Sequence, residues 1–282
     1  MRGKCFAALL AVSILLLTAC AGRALSDPMP AAEETAPAET EYQRPEYEIV
    51  PFTTGNQVQA EDGTVLAHYN YQTLRLALHN EDGVSPGDAE TAARNLEAFN
   101  EKMCSVTEDL MKQGGAMAEE AAAVNESFGS RAMEYEDDAE TSAVFSGDII
   151  SVCLRRYSYT GGAHPNHYIL GWLFDLGTGQ FILDPSQLAE DPAAFHDGAA
   201  ELLIGKADIG ASGGYWDDYQ DIIRSGHGGV TLFDEAGMTV LYAPYELGPY
   251  AIGEVELRLS WEELEPLLGE SGMARLGMAG EE

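Results

Sequence analysis

The chain has 282 residues, 45% of them apolar, and carries 15 Lys+Arg against 47 Asp+Glu for a formal net charge of −32. That apolar content can bury one substantial core or two small ones, which excludes disorder throughout. The acidic excess repels nucleic-acid phosphates and anionic lipid head groups and attracts cationic proteins and divalent metals, so a nucleic-acid role is excluded.

Arg2 and Lys4 precede an apolar run from Phe6 to Leu17, short for a bilayer-spanning helix but the usual length of a secretory hydrophobic region. It ends in Leu17-Thr18-Ala19-Cys20, the pattern of a bacterial lipobox, in which small residues admit the peptidase and the cysteine thiol receives the lipid. Residues 1–19 are therefore expected to be a lipoprotein signal peptide, with Cys20 the lipid attachment site and new N-terminus. Removing them takes away two basic and no acidic side chains, leaving 13 against 47 and a net −34. No later apolar run is long enough to span a membrane, so the N-terminal lipid is the one membrane attachment expected, on the extracytoplasmic side of a bacterial cell membrane. Residues 20–44, with Pro28, Pro30, Pro37 and four glutamates, read as a flexible acidic tether.

Cys5 leaves with the signal and Cys20 is acylated, so Cys104 and Cys153 remain. They either form a single disulfide, favoured by an oxidising exterior, or serve as two small core residues.

Within 45–155, a first α+β half, Tyr47 to Phe52 reads as a strand whose Pro51 suggests a sheet edge. Val65, Ala67, Tyr69 and Tyr71 share a face, after which the apolar phase switches to Leu74, Leu76 and Leu78, as a β-bulge would produce. Ser85-Pro86-Gly87-Asp88 is a helix start, and Leu96, Phe99, Met103, Val106 and Leu110 form one helical face that Gly114-Gly115 is expected to end. A weaker, Ala-rich helix is expected from Met117 to Phe128. Strands follow at Ala143–Phe145 and Ile149–Tyr159.

The second half, 156–268, continues with a strand from Tyr168 to Leu176, a tight turn at Gly177-Thr178-Gly179 and a strand from Phe181 to Leu183. Asp191-Pro192 opens a helix carrying Phe195, Ala199, Leu202 and Leu203 inward, and a short helix is expected within Trp216–Ile223. A hairpin pairs Val230–Phe233 with Met238–Tyr242, a strand covers Val255–Leu259, and Ser260-Trp261-Glu262-Glu263 is a capping box for a last helix through Leu268. Residues 269–282 read as a tail. The pattern specifies an α+β fold of antiparallel sheets with packed helices.

Three segments, Tyr157-Ser158-Tyr159-Thr160-Gly161-Gly162-Ala163-His164-Pro165-Asn166, Phe174-Asp175-Leu176-Gly177-Thr178-Gly179 and Ala243-Pro244-Tyr245-Glu246-Leu247-Gly248-Pro249-Tyr250-Ala251-Ile252-Gly253, occur in that order. Together they resemble the paired domains of unknown function in the ectodomain of the lysozyme-sensing anti-sigma factor RsiV and beside the catalytic domain of the peptidoglycan deacetylase PdaC. The resemblance covers about residues 45–268 and is specific from Tyr157 onward. It implies an α+β fold, a cell-envelope setting and, in one branch, binding of lysozyme. No anti-sigma segment or deacetylase domain accompanies these motifs, so only the binding module is expected to carry over.

Candidate chemistry is sparse. Gly210-Ala211-Ser212-Gly213-Gly214 fits G-x-S-x-G, and a triad with Asp217 or Asp218 and His227 would make Ser212 a hydrolase nucleophile, but a helix rather than a strand is expected before it. His164 and His167 with Asp175 or Asp184 supply metal-ligand types, yet Pro165 prevents helical spacing, and a histidine bonded to a backbone carbonyl is the simpler reading. Glu134, Glu136, Asp137, Asp138 and Glu140 lack calcium-loop spacing and read as a solvated acidic turn. No cofactor, metal or catalytic residue is expected.

The aromatics Tyr157, Tyr159, Tyr168 and Trp172, and Tyr242, Tyr245 and Tyr250, sit about two loops and suit protein hot spots or sugar stacking. The candidate contact residues are Tyr159, His164, Asn166, Tyr245, Glu246, Pro249 and Tyr250. The function expected is a non-enzymatic surface lipoprotein that binds a cationic, lysozyme-like protein, or else peptidoglycan or another wall carbohydrate.

Overall fold

The structure is a computed structural model that describes residues 43–80, 84–128, 133–210 and 214–278. The signal peptide, Cys20, nearly all of the tether and Ser212 lie outside the described residues. The described residues form one compact unit.

Its frame is a six-stranded sheet in the order β1 to β6: β1 Tyr47–Gln59, β2 Val65–Leu78, β3 Tyr135–Ser146, β4 Ile149–Tyr159, β5 Asn166–Asp175 and β6 Gln180–Ile182. All pairs are antiparallel except β2–β3, which is parallel and joined across helix α1, Pro86–Phe128. β1 is an edge strand, the place in a sheet that tolerates a proline such as Pro51. The sequence division at 155/156 falls inside β4, because the larger sheet keeps β5 and β6 beside the strands of the first half.

Helix α1 begins at Ser85, whose hydroxyl accepts from the Asp88 backbone N–H at 3.2 Å. It then runs 43 residues without stopping at Gly114-Gly115. The reason is packing. A Cβ on Gly114 would lie 2.6 Å from Cγ of Tyr69, so that glycine lets the helix descend onto the aromatic rows of β2, while Gly115 faces open space. The stripe of Phe99, Met103 and Leu110 is buried against Tyr71, Leu74, Leu76, Ile150, Val152 and Phe174. Pairing of β2 with β1 runs unbroken past Leu74, and its register shift lies at Val58/Gln59 instead. The phase switch in β2 instead follows the end of its ladder with β3 at Gln72. Beyond that residue β2 belongs to a two-stranded ribbon, which can twist more strongly.

A second layer covers part of the other face. The three-stranded sheet β7 Val230–Asp234, β8 Gly237–Tyr242 and β9 Val255–Ser260 packs with α2 Pro192–Gly210, α3 Tyr219–Ser225 and α4 Trp261–Arg275. β7 abuts the larger sheet. The Phe233 N–H donates to the Ser151 hydroxyl at 2.8 Å, and Gly171 leaves room for Val230. The capping box at Ser260 and Glu263 is formed in full. The last helix does not stop at Leu268: it kinks at Gly269 (φ 72°) and runs to Arg275, and Leu276 is buried. The Asp148 N–H donates to the Arg275 carbonyl at 2.9 Å and the Arg275 guanidinium donates to Asp175 at 2.5 Å, so the expected tail is tied to the larger sheet.

β4 alternates between the two layers. Ile150, Val152 and Leu154 face α1, whereas Ile149 joins the core of the second layer and Cys153 shares its parity. Cys104 is on α1. The sheet therefore separates the two sulfurs, and no disulfide joins them.

Candidate functional site: an aromatic cluster beside an acidic sheet face

Two of the recognisable loops meet. The β4–β5 loop carries His164 and the loop after β8 carries Tyr245 and Tyr250. His164 stacks on Tyr250 with ring centroids 4.0 Å apart, and Tyr250 lies 5.8 Å from Tyr245. His167 meets Tyr157 edge-on at 5.5 Å, and its Nε2 is 3.0 Å from the Tyr250 hydroxyl.

The tautomer of His164 follows from its partners. Its Nδ1 is 2.9 Å from the Pro165 carbonyl, which can only accept, so Nδ1 carries the proton. In the neutral ring Nε2 then accepts from the Tyr245 hydroxyl at 2.9 Å. Both nitrogens are occupied, and among the described residues no group of three or more His, Cys, Asp or Glu is placed to hold a metal.

Tyr245 is held in an unusual backbone conformation. Its φ of 78° makes it the one non-glycine residue with positive φ among those described, and its side chain is 53% exposed. The Trp216 indole N–H donates to the Tyr245 carbonyl at 3.3 Å, setting a second exposed aromatic beside it. Strain of this kind persists only where the surroundings enforce it. Here Glu246 contributes: its carboxylate accepts from the Ala243 N–H at 2.6 Å, closing the turn, and partial burial raises its pKa. Pro249 caps the short 3-10 turn that presents Tyr250. The Tyr159 hydroxyl donates to the Gly162 carbonyl at 3.1 Å and braces the glycine-rich loop, while Asn166 starts β5 opposite Ser158. Of the seven candidate residues, then, His164, Tyr245 and Tyr250 form the cluster, Tyr159, Glu246 and Pro249 shape its loops, and Asn166 lies at its margin.

The acidic run beside this cluster is not a turn. It leads into and occupies β3, where alternation divides it between two faces. Asp137 points toward α1 and is fully buried, accepting from the Tyr71 hydroxyl and from Nε and Nη2 of Arg156, each at 2.6 Å. Burial and the Asp137 carboxylate push the Tyr71 pKa up. Glu134, Glu136, Asp138 and Glu140 take the opposite parity, roughly 6.7 Å apart along the chain. Register places Asn70 beside Asp138 and Gln72 beside Glu140 on β2, with Tyr157 and Arg155 opposite the same two residues on β4. His68 bridges the row, 2.9 Å from Glu134 and 3.9 Å from Asp138.

A groove of about 620 Å³ lies over this face, with Asp138 and Glu140 on its floor and His167, Tyr250 and Glu254 along its wall. Glu254 is fixed by two hydrogen bonds from Arg155, at 3.1 and 2.8 Å. The carboxylate row, Arg155, Glu254 and Trp216 were not among the candidates from sequence. The period-two spacing of acids from Glu134 to Glu140 is a strand signal that could have identified the row.

Residues 225–262 match a family model described as a protein of unknown function, DUF3298. The matched stretch runs from the end of α3 through the Tyr245–Tyr250 loop to the start of α4. A solved structure of a DUF3298 family member from Bacteroides fragilis is similar at 18% identity and a TM-score of 0.55, over 82% of this chain and 97% of that one. Another, from Pseudomonas aeruginosa, gives 16% identity and a TM-score of 0.43 over 80% and 97%. At such identities the first likeness speaks for the fold alone. No curated protein matches the chain.

Proposed function

We propose that the protein is a lipid-anchored, non-enzymatic binding module of the bacterial cell surface that engages a cationic protein, of which a lysozyme is the type. One observation carries this reading: a row of four carboxylates on an open sheet face borders a preformed cluster of Tyr157, His164, His167, Tyr245 and Tyr250. Acid side chains on a chain at net −34 once residues 1–19 are removed steer a basic partner onto it, and rigid aromatics at the rim supply desolvated contact area. The lipobox pattern ending at Cys20 supports the anchor, and an anchor of that kind would bring the module where such proteins are met.

Calorimetry of the lipid-free chain, residues 21–282, against a strongly basic lysozyme tests the reading. Affinity should fall steeply between 20 mM and 150 mM salt, and Asp138→Asn with Glu140→Gln should weaken binding at low salt while leaving the fold intact. No binding by the folded chain at 20 mM salt would overturn it. A second reading, wall-carbohydrate binding, is favoured by the exposed pair Tyr245 and Trp216, which could stack on sugar faces. Binding of soluble peptidoglycan fragments that is insensitive to salt and lost in Tyr245→Ala would select it.

A further inference from the structure

We infer that the outer edge of β5 is a strand-addition site, which takes an extended segment of a basic partner whose apolar and cationic side chains alternate. β4 pairs with β5 along its whole length, from Ser158 opposite Asn166 to Ile149 opposite Asp175. On the other side β6 pairs only with Leu173, Phe174 and Asp175. Among the described residues nothing else hydrogen-bonds the backbone of residues 166–172, so this stretch presents an open ladder edge. Proteins usually blunt such an edge with charge, proline or a bulge. β1, at the opposite margin of the sheet, contains Pro51, and the outer strand β9 of the smaller sheet exposes Glu256 and Arg258. Residues 166–172 have no such guard. Although 22% of the chain is Asp, Glu, Lys or Arg, residues 157–174 contain none, and the ladder of β5 with β4 has no register shift.

The two sides of the edge differ. Tyr168, Leu170 and Trp172 share the face toward α1, where Trp172 packs into the core while Tyr168 and Leu170 stay half exposed. His167 and Ile169 point the other way. There a groove separates residues 165–170 from the loop after β8, with Pro244, Tyr245 and Glu246 on its far wall. A strand laid along β5 bonds to the open backbone and sets its side chains alternately on these two sides. One row lies beside exposed Tyr168 and Leu170, which favours apolar side chains. The other lies against the exposed ring of Tyr245 beside the Glu246 carboxylate, which favours Lys or Arg. Charge decides between partners. A second copy of a chain with 47 Asp+Glu against 15 Lys+Arg is repelled, whereas a basic segment is drawn in. The edge adjoins the acidic groove but engages a partner's backbone rather than its charge alone, so the two sites can be tested apart.

The test uses the lipid-free chain, residues 21–282, isotopically labelled at its amides, and as probe an acetylated, amidated octapeptide alternating valine and arginine. The peptide should shift the amide resonances of Ile169 and Leu170 saturably and slow hydrogen exchange within residues 166–172. The same peptide with every amide N-methylated has no backbone donor and should not bind. One with glutamate in place of arginine should bind at least about tenfold more weakly. Leu170→Lys, which charges the edge at an exposed position, should weaken binding about fivefold with the fold intact. Absence of saturable shifts in the folded wild-type chain at millimolar peptide would overturn the inference. So would equal binding of the N-methylated peptide, or shifts confined to Asn70, Asp138 and Glu140, which would seat the arginines in the acidic groove. Dimerisation of the free chain that Leu170→Lys abolishes would give the edge to a second copy and overturn it as well. A lysozyme that fails to bind leaves every one of these readouts unchanged.

Discussion

His164 and Tyr250 stack with ring planes 15° apart, and through them a loop of the larger sheet is joined to a loop of the second layer. Neither ring could be assigned a neighbour from its own segment, since the partners within the pair of loops stand 81 and 83 positions apart. The contact makes the cluster a preformed surface rather than a set of mobile side chains, which limits the entropy lost on binding.

The stack should be measurable as a coupling energy. In a double-mutant cycle of His164→Ala and Tyr250→Ala followed by urea unfolding, the interaction should be about 0.5–1.5 kcal/mol. Additive single effects would mean that the rings are adjacent without supporting one another.

The two consecutive glycines of α1 should behave oppositely. Gly115→Ala meets nothing within 4 Å and should raise stability by roughly 0.5–1 kcal/mol through helix propensity. Gly114→Ala drives a methyl into Tyr69 and Tyr71 and should lower stability by about 1–3 kcal/mol despite the same gain in propensity. Urea midpoints of the two variants check the pair. A stabilised Gly114→Ala variant would place the helix farther from β2.

Arg156 and Asp137 are a buried bidentate pair, with side chains 15% and 0% exposed. Arg156→Ala leaves the carboxylate without its charge partner and should cost about 3–5 kcal/mol in chemical denaturation. The exposed pair of Arg44 and Asp148 is the control: Arg44→Ala should change stability by less than about 1 kcal/mol.

Glu246 gives a pH signature whose sign is fixed by its raised pKa. The folded protein holds this proton to higher pH than the unfolded chain does, so stability from Glu246 is fully present below the unfolded value of about 4.3 and is lost as pH rises through the folded value. Glu246→Gln removes the cost of burying the charge and still accepts from the Ala243 N–H. Its stability relative to wild type should therefore improve between pH 4 and pH 7. A flat difference across that range would mean that the carboxyl is not desolvated.

Much of the fold was legible from sequence, because it rests on local patterns. Runs rich in β-branched and aromatic residues mark β4 and β5, a turn between two apolar runs marks the β7–β8 hairpin, alternation marks β9, a five-residue stripe marks the first half of α1, and Ser85 and Ser260 mark helix starts whose capping bonds depend on residues three positions away. The two aromatic loops could be singled out for the same reason, as rigid rings on glycine- and proline-rich turns. What the tertiary structure decided is what depends on distant neighbours. Gly114 reads as a helix stop until Tyr69 and Tyr71 are seen beneath it. The acids from Glu134 to Glu140 read as a solvated turn until pairing with β2 and β4 makes them a strand, burying Asp137 under Arg156 and turning the alternate carboxylates outward. Chain order leaves Cys104 and Cys153 as either a disulfide or two small core residues, and only the tertiary structure puts the sheet between Cys104 on α1 and Cys153 on β4. In each case short-range propensity was outweighed by a contact across the sheet, whose energy no local stretch of sequence contains.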